Sequence, residues 1–442
     1  MEKLTGFVSE HLNDDTTRLI MNRSRWPEIN MELAVNCIES RRKLKGKMQE
    51  WYDEPGLIFP RRLSAEQCSS SATGAFKAEI AEKIALLDSP DNDGFRLADL
   101  TGGLGVDSWF FSQKASKVLY CEMLPELCNA AKHNFSILKA DNIDIRNVAV
   151  CAETEIPQSD GGIFQTPTRI LKDFQPDIVY MDPARRGEGG KKVFLIEDCT
   201  PDVLTLKDEI FRFSRHIFLK LSPMADISMV CERLGRTCRE VYAVAAGGEC
   251  KELLVWMDRE WNADYMIYAV ELHKDTEAGM FSFSMAEEKM ASWMPLPAAS
   301  TITEREENVT ESARNLYLFE PGKALMKAGA FNLVSERFGI CKLGRSTHYY
   351  VFSDTKFEDN NTFQTLSQLG KIFRIIRIEP LDKRTIKAAG KEFPKAEVTA
   401  RNIPMDTDTL RKKLSVTSGD DAHIFGLKSD SQGALLIITD PL

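Results

Sequence analysis

The chain has 442 residues, of which 43% are hydrophobic and 28% are charged, and its net charge is −9. This composition is typical of a globular protein of about three domains that can bury sizeable cores. No run of about 18 apolar residues occurs, so the sequence predicts no transmembrane helix.

Residues 1–90 are predicted to form a mostly helical segment, because apolar residues between Leu19 and Ile38 recur at helix-like spacing. The stretch 67–77 leads into an amphipathic helix that ends near Leu87. Serines just before that helix are suited to capping it.

Residues 91–260 alternate strands with helices. The predicted strands are 97–100, 117–122, 144–150, 177–181, 216–221, 239–245 and 252–257. The predicted helices are 106–113, 124–139, 168–174, 203–213 and 225–234. This alternation favours a mostly parallel, doubly wound sheet. A Gly247-Gly248 turn joins the last two strands, so one strand of the sheet is expected to be antiparallel.

Residues 261–360 are expected to form a small α+β module, with strands at 266–272 and 348–352, a helix over 324–338 and a loop at 301–308. Residues 361–442 are expected to form a compact α/β unit that is large enough to fold alone. Its predicted strands are 371–378, 396–399, 422–426 and 433–439, and its predicted helices are 383–392 and 408–414.

Basic residues are concentrated in the last of these units. Between Lys371 and Lys413 the chain carries twelve lysines and arginines against six acidic residues, so this segment has a charge of +6 and the rest of the chain −15. A basic module on an acidic body indicates an anionic partner.

The ten cysteines form no C-x-x-C pair and do not cluster with the six histidines, which argues against a zinc site and against a disulfide framework. Several cysteines lie in apolar runs, as buried free thiols do. We therefore expect a reducing, cytoplasmic compartment. The first residues lack a basic stretch followed by an apolar one, so no secretion signal is expected.

A Gly-rich turn follows the first predicted strand of the sheet. The strand ends in Asp99, and Gly102, Gly103 and Gly105 precede a helix-compatible segment. Glycines let a ligand approach the backbone closely, and a helix N-terminus offers free N–H groups. The pattern predicts a nucleotide-type site at the carboxyl edge of the sheet. A dinucleotide fingerprint would have a third glycine where Ser108 stands, and an acid beside a pyrophosphate is electrostatically unfavourable.

Two further acidic residues follow predicted strands of the same sheet. Glu122 ends the second strand, where carboxylate oxygens can accept hydrogen bonds from the ribose hydroxyls of a nucleotide ligand. Asp182 and Pro183 follow the fourth strand. All these residues are therefore expected at one edge of the sheet.

These stretches resemble class I S-adenosylmethionine (SAM) methyltransferases. The Gly-rich turn with its preceding acid is similar to their motif I. Asp182-Pro183 is similar to motif IV of the nucleic-acid methyltransferases, D/N-P-P-Y/F/W, which holds an exocyclic amine and orients its lone pair towards the methyl group. Here Ala184 replaces the second proline and no aromatic residue follows, so the residue that stacks on a base is missing from this motif.

The segment 182–187 also resembles the D-P-P-R-x-G motif of the uridine-C5 RNA methyltransferases. That family needs a nucleophilic cysteine just after its fifth strand, and this chain has Lys220-Leu-Ser-Pro-Met224 there. We therefore exclude covalent uridine chemistry. Arg185 and Arg186 are suited either to bidentate phosphate binding or to structural ion pairs.

Over its whole length the chain resembles the bacterial methyltransferases with a C-terminal THUMP-like domain that are common among Bacteroidetes. The matching stretches are 66–70, 182–187, 323–331, 401–404 and 410–414. The resemblance implies a helical N-terminal segment (1–90), a class I methyltransferase core with a mostly parallel, seven-stranded Rossmann-like sheet (91–260), a small ferredoxin-like α+β module (261–360) and a THUMP-like domain (361–442). THUMP domains bind structured RNA, mostly tRNA.

The resemblance also implies SAM as the cofactor and assigns site residues. The expected cofactor-binding residues are Asp99, Thr101, Gly102, Gly103, Gly105, Asp107, Glu122 and Met123. Asp99 would face the amino acid part of SAM and Glu122 its ribose. The expected catalytic residues are Asp182, Pro183 and Arg185, and no metal site is expected. Because the segment before the first strand closes over SAM in many class I methyltransferases, Ser70, Thr73 and Lys77 are further candidates.

We therefore expect a cytoplasmic SAM-dependent methyltransferase that acts on a base of tRNA or rRNA, with residues 371–413 binding RNA phosphates and no membrane partner. One alternative is a methyltransferase that acts on a protein or a small molecule. Another is a protein that binds SAM or RNA without catalysing transfer, in which Ala184 marks the decay of the acceptor site.

Overall fold

The computed structural model describes residues 2–88, 94–157, 162–185, 195–274, 276–297, 316–353 and 360–441. The chain divides into two compact units. The first comprises residues 1–241 and 252–265, and the second comprises residues 242–251 and 266–442. Within the described ranges, no helix has the length and apolar character needed to cross a membrane.

The first unit begins with a helical segment, as expected. Its helices are α1 (Glu2–Glu10), α2 (Thr16–Met21), α3 (Met31–Leu44), α4 (Gln49–Asp53), α5 (Arg62–Gln67) and α6 (Ser71–Asp88). Phe7 of α1 packs with Ala34 and Ile38 of α3 in one apolar cluster. Asp15 and Asn30 cap α2 and α3 by accepting hydrogen bonds from backbone N–H groups of the first turn.

Strands and helices alternate through the rest of this unit. The strands are β1 (Arg96–Asp99), β2 (Lys117–Glu122), β3 (Ile143–Asn147), β4 (Ala149–Val150), β5 (Phe164–Gln165), β6 (Ile178–Met181), β7 (Ala184–Arg185), β8 (Cys199–Thr200), β9 (His216–Leu221), β10 (Cys238–Ala246) and β11 (Glu249–Asp258). The helices are α7 (Val106–Ser112), α8 (Pro125–Ile137), α9 (Pro167–Leu171), α10 (Val203–Ile210) and α11 (Ile227–Leu234). The division between the two units runs through the β10–β11 hairpin.

Seven of these strands lie side by side in the order β3-β2-β1-β6-β9-β11-β10. β1 pairs in parallel with β2 and β6, and β6 pairs in parallel with β9. β11 runs antiparallel to β9. The prediction of a mostly parallel doubly wound sheet with one antiparallel strand is confirmed. The strand order reverses between β1 and β6, and such a reversal opens a crevice at the carboxyl ends of the strands.

The second unit is built mainly on antiparallel pairs. Its strands are β12 (Met266–Leu272), β13 (Gly279–Ser284), β14 (Met294–Pro295), β15 (Leu316–Pro321), β16 (Cys341–Lys342), β17 (Tyr350–Ser353), β18 (Gly370–Pro380), β19 (Lys395–Arg401), β20 (Thr417–Ser429) and β21 (Gly433–Thr439). Its helices are α12 (Met285–Met290), α13 (Lys323–Ala328), α14 (Phe331–Phe338), α15 (Asn360–Leu369), α16 (Lys383–Glu392) and α17 (Thr407–Leu414).

One eight-stranded sheet organises this unit, in the order β14-β16-β17-β15-β18-β21-β20-β19. The antiparallel pair β15–β18 joins the expected ferredoxin-like and THUMP-like segments within a single sheet. Helices α16 and α17 pack on the sheet, since their residues Ile386, Leu410 and Leu414 lie in one apolar cluster with Ile424 and Ile438 of the strands. Their other faces therefore carry the polar side chains.

The single helix predicted over 324–338 is wrong, because the structure has two helices there. Gly329, with φ +86°, occupies the left-handed region and ends α13, and Phe331 begins α14. The structure also has β13, β15 and α15, which the sequence analysis did not predict. The predicted loop 301–308 lies outside the described residues.

Candidate functional site

The Gly-rich turn between β1 and α7 is shaped by close contacts that only glycine allows. A Cβ atom on Gly102 would lie 2.2 Å from the ring of Tyr120, and one on Gly105 would lie 2.7 Å from the ring of Phe135. Gly103 and Gly105 have φ values of +55° and +92°, a region that L side chains rarely adopt. The backbone at Gly103 is open, since a Cβ atom there would have only the Thr101 carbonyl oxygen within 4 Å, at 3.8 Å.

Glu122 lies against this turn. Its Oε2 accepts a hydrogen bond from the backbone N–H of Gly103 at 2.9 Å, and its Oε1 accepts one from the N–H of Leu124 at 2.8 Å. Each carboxylate oxygen has a second lone pair for a further donor. Met123 follows with an exposed side chain. The structure therefore brings Glu122 and the Gly-rich turn together.

Asp99 lies beneath the turn and is almost fully buried. Its carboxylate accepts hydrogen bonds from the N–H of Thr101 at 3.0 Å and from Oγ of Ser108 at 2.6 Å. Burial raises the pKa of Asp99 to about 7, although these two hydrogen bonds favour the charged form. Asp99 is thus bonded to the turn itself and to the first turn of α7.

Asp182 and Pro183 follow β6 at the same edge of the sheet. The backbone N–H of Asp182 donates to Oγ1 of Thr101 at 2.6 Å, which joins this motif to the Gly-rich turn. The carboxylate of Asp182 is half-exposed, and Pro183 is buried. The backbone of Arg185 pairs with Cys199 in the short β7–β8 ladder. Arg186 lies outside the described residues.

A network of buried charges adjoins Asp182. Lys220, at the end of β9, places its Nζ 2.6 Å from Oδ2 of Asp182 and 4.0 Å from Oδ2 of Asp107. Lys77 of α6 places its Nζ 3.3 Å from Oδ1 of Asp107 and 2.8 Å from Oε1 of Glu252. The hydroxyl of Tyr180 donates to Oδ2 of Asp107 at 2.7 Å. Each charged residue of this network, namely Lys77, Asp107, Asp182, Lys220 and Glu252, therefore has a partner of opposite charge.

The neighbouring charges determine the charge states of Asp107 and Lys220. Burial by itself would raise the pKa of Asp107, but Lys77 and Lys220 outweigh it, so the pKa is lowered. Burial opposes the charged form of Lys220, but Asp182 and Asp107 outweigh that effect and raise its pKa. Burial raises the pKa of Glu252, although Lys77 opposes the shift. At neutral pH Lys220 is therefore an ammonium and Asp107 a carboxylate.

Two of the weaker candidates from the sequence belong to a helix cap. The N–H of Ser70 donates to Oγ1 of Thr73 at 3.1 Å, and the N–H of Thr73 donates to Oγ of Ser70 at 3.3 Å. The capping interpretation of these residues is confirmed. Lys77, by contrast, points into the charge network, where Ser69 Oγ accepts from its Nζ at 2.9 Å.

Lys220 and Glu252 belong to this charge network, and the sequence analysis assigned neither of them a role. Lys220 interrupts the apolar strand β9, and Glu252 is the first buried residue of β11. A charge in such a place is costly unless it is paired, and this was the available signal. Leu253 pairs with Leu221 in the antiparallel β9–β11 ladder. The beginning of β11 therefore lies at the edge of the sheet where β9 ends.

The second unit presents basic side chains on the outer faces of α16 and α17. The exposed ones are Lys383, Arg384, Lys387, Lys391, Lys412 and Lys413. Three other basic residues of the segment 371–413 are paired instead: Arg374 with Asp440, Arg377 with Glu392 and Arg411 with Glu397. Six of the twelve basic residues of this segment are therefore exposed on the two helices.

Together, the strand order and the Gly-rich turn define a methyltransferase-like fold. Residues 317–359 match a ferredoxin-like domain family, and residues 370–441 match a THUMP domain-like family. Along 99% of its length the chain is similar to a candidate methyltransferase from Porphyromonas gingivalis W83. The crystal structure of that protein is matched over 97% of its chain, with a TM-score of 0.78 at 28% sequence identity. The resemblance inferred from the sequence is thereby confirmed.

More distant structures match parts of the chain. An rRNA methylase from Streptococcus thermophilus, at 11% identity and a TM-score of 0.28, covers 41% of this chain and 94% of its own. A candidate methyltransferase from Streptococcus mutans, solved in complex with SAH, is 13% identical with a TM-score of 0.27 and covers 41% of this chain and 96% of its own. None of the curated proteins matches the chain in sequence.

Proposed function

We propose that the protein is a SAM-dependent methyltransferase that acts on structured RNA, either tRNA or rRNA. One observation carries the proposal: the hydrogen bond of 2.6 Å from Asp182 N–H to Thr101 Oγ1. It couples a loop suited to an acceptor group to a turn suited to a nucleotide-like ligand, at the point where the strand order reverses. Such a reversal is where open α/β sheets bind their ligands.

The residues around the turn fit the methyl donor. Gly102, Gly103 and Gly105 let it approach the backbone, and the open space at Gly103 supports this role. Glu122 keeps a lone pair on each oxygen for the ribose hydroxyls, and Met123 offers an exposed apolar side chain to the adenine. Bound SAM supplies a methyl group on a positively charged sulfur.

Three other expected cofactor-binding residues, Asp99, Thr101 and Asp107, are held by hydrogen bonds and ion pairs within the protein. Asp99 accepts a hydrogen bond from the N–H of Thr101, and the Thr101 hydroxyl accepts one from the N–H of Asp182 in the acceptor loop. Asp107 forms an ion pair with Lys77 and accepts a hydrogen bond from Tyr180. We propose that these three side chains fix the shape of the place in which a sulfonium binds, and that the carboxylate of Asp107 supplies negative charge there.

The acceptor is proposed to bind at Asp182 and Pro183, with Arg185 as a further catalytic candidate. One oxygen of Asp182 is held by Lys220, which orients the carboxylate. An aligned acceptor needs little else, because SAM is already activated and positioning supplies much of the rate enhancement.

RNA binding is proposed for the segment 371–413. The match of residues 370–441 to a THUMP domain-like family and the exposed lysines of α16 and α17 support it. Phosphate contacts from lysine side chains provide most of the sequence-independent affinity for nucleic acid.

The test is methyl transfer by the purified full chain. Labelled SAM is supplied together with the RNA, DNA and protein fractions of a strain that lacks the protein. Label in RNA supports the proposal. Label in protein or in small molecules contradicts the RNA assignment and identifies the basic helices as a surface for another partner.

A further inference from the structure

Four charged side chains from four different elements converge at one edge of the sheet of the first unit. Lys77 lies on α6, Asp182 follows β6, Lys220 lies near the end of β9 and Glu252 lies near the start of β11. With Asp107 between the two lysines, the order Glu252–Lys77–Asp107–Lys220–Asp182 alternates in sign. Nothing in the packing of a sheet requires one buried and one largely buried lysine there, since each costs desolvation energy.

The network leads from the interior to the surface. The side chain of Lys77 is 0% exposed and that of Glu252 is 3% exposed, whereas those of Lys220 and Asp182 are 12% and 39% exposed. Only Oδ2 of Asp182 accepts from Lys220, at 2.6 Å, and no side chain of the described ranges donates to its Oδ1. An ammonium has three donors. The Asp182–Lys220 pair can therefore accept a hydrogen bond from an incoming group and also donate one to it.

The charge of Lys220 discriminates between acceptor atoms. When a neutral amine attacks a methyl group, positive charge develops on its nitrogen, and a neighbouring ammonium opposes this. When a hydroxyl attacks, it gives up its proton and negative charge develops on oxygen, which the same ammonium stabilises. The absence of an aromatic residue after Asp182-Pro183 agrees with an acceptor that is not a stacked base.

We propose that the acceptor is a hydroxyl group, the 2′-hydroxyl of an RNA ribose, bound by Asp182 and Lys220. This inference rests on the proposed function and replaces the base as the methylated part of the RNA. The 2′-hydroxyl is both a donor and an acceptor and is displayed in the minor groove of RNA helices. It therefore matches a carboxylate and an ammonium that lie side by side.

The reaction step balances with these two groups. The hydroxyl donates its hydrogen bond to Oδ1 of Asp182, and Nζ of Lys220 donates to the hydroxyl oxygen. An oxygen–carbon bond forms to the methyl group while the carbon–sulfur bond breaks, and its electron pair stays on sulfur. The hydroxyl proton passes to Asp182 and from there to water. The products are a methyl ether, a neutral thioether and one proton.

Lys77 and Glu252 are positioning residues in this scheme. They do not touch the acceptor; instead, Lys77 holds Asp107, which lies 4.0 Å from Lys220. The hydrogen bonds of Lys77 to both oxygens of Glu252, at 2.8 and 3.0 Å, fix that arrangement. Replacing Glu252→Gln is expected to lower kcat about 10-fold and leave KM for RNA unchanged, because the loss acts on orientation.

The deciding experiment identifies where the methyl group is attached. The full chain transfers a labelled methyl group from SAM to total RNA from a strain that lacks the protein, and the RNA is then hydrolysed in alkali. Alkali cleaves RNA only where a free 2′-hydroxyl can attack the adjacent phosphate. Label in alkali-resistant dinucleotides is the expected result.

The same alkaline hydrolysis distinguishes methylation of the ribose from methylation of a base. Label in mononucleotides would overturn the hydroxyl inference, because the methyl group would then be on a base, and would leave the proposed RNA methyltransferase standing. Label that enters only protein or small molecules would overturn the proposed function as well.

Substitutions at Lys220 test its role independently. Lys220→Met is expected to lower kcat at least about 100-fold, as loss of a preorganised electrostatic group does, while SAM affinity stays within about threefold. Lys220→Arg keeps the cation and is expected to restore part of the rate. Lys117→Met, which removes a half-exposed lysine paired with Asp144, is the matched control and should change neither. If Lys220→Met lost SAM affinity as much as it lost rate, and Lys220→Arg restored neither, a catalytic role of Lys220 would be contradicted.

Discussion

The backbone N–H of Asp182 and the hydroxyl of Thr101 form a hydrogen bond of 2.6 Å across the reversal in strand order between β1 and β6. This bond sets the position of the loop after β6 relative to the turn after β1. The Asp182 carboxylate, held in turn by Lys220, is thereby fixed with respect to the proposed methyl donor. Two substrates that react in line need such a fixed separation.

Removing the Thr101 hydroxyl should therefore slow methyl transfer without weakening SAM binding. In Thr101→Val the shape is kept, but the N–H of Asp182 loses its partner, which costs about 1–3 kcal/mol where the group is buried. We expect kcat to fall about 10- to 100-fold with SAM affinity unchanged in calorimetric titration. Thr237→Val, which removes a half-buried hydroxyl bonded to the Leu234 carbonyl, is the control. Wild-type kcat in Thr101→Val would show that this bond does not position the acceptor loop.

Substitution of Gly103 should abolish SAM binding. A valine at φ +55° is strained, and its branches would occupy the open side of the turn. Gly339→Val, at φ +64° at the end of α14, imposes similar backbone strain far from the turn in sequence. We expect comparable losses of thermal stability in the two variants, but no measurable SAM binding only in Gly103→Val. Normal SAM affinity there would refute the role of this backbone.

Asp182→Ala should spare SAM binding and abolish methyl transfer. The substitution removes the oxygen that Lys220 contacts at 2.6 Å and the free oxygen proposed for the acceptor. Lys220 keeps Asp107 as a counter-ion, so the charge network retains a partner for its ammonium. Equilibrium binding of SAM together with single-turnover transfer separates the two effects. Transfer at the wild-type rate would remove Asp182 from the acceptor site.

The sheet could be predicted from the sequence because its strands are short apolar runs with clear turn residues between them. β2, β9 and β21 begin and end at the predicted residues. The 324–338 helix was wrong because one left-handed glycine, Gly329, divides a segment whose apolar pattern continues across it. The spacing of apolar residues along a segment does not reveal a helix break at a single residue.

The place of Asp99, Glu122 and Asp182 at one edge of the sheet could be predicted, because each lies at the end of a strand or directly after it, but the charge network could not. Lys77 and Glu252 are 175 residues apart in sequence and meet at 2.8 Å. Their contact depends on the place of α6 beside the sheet and on the antiparallel direction of β11. Neither follows from the spacing of residues along the chain.

The buried carboxyl of Asp99 should make folding stability depend on pH. Its pKa is about 7 in the folded chain and about 4 when unfolded, so between these values the folded state binds more protons. The free energy of unfolding therefore falls as pH rises from 4 to 7, by up to about 4 kcal/mol. Asp99→Asn should lack this decline, as measured by urea unfolding without SAM at several pH values. The control variant Asp144→Asn, at an exposed position, should show the same decline in the free energy of unfolding as the wild type. If the free energy of unfolding of Asp99→Asn changed with pH as that of the wild type does, Asp99 would not be protonated in the folded chain.

Reversing the charge of α17 should weaken RNA binding without affecting the methyl donor. Replacing Arg411, Lys412 and Lys413 by Glu places three negative charges on a helix that otherwise faces solvent with lysines. Each lost phosphate contact should reduce the slope of log affinity against log salt by about 0.7–0.9, so we expect a slope less steep by about 2 and an affinity at least about 10-fold lower. Replacing Lys114, Lys132 and Lys172 by Glu makes the same change in net charge on exposed side chains of the first unit. If both triple variants lost RNA affinity equally, net charge alone would explain the binding. A loss confined to the α17 variant would assign RNA binding to this helix. Titration of both variants with SAM verifies that the first unit is intact.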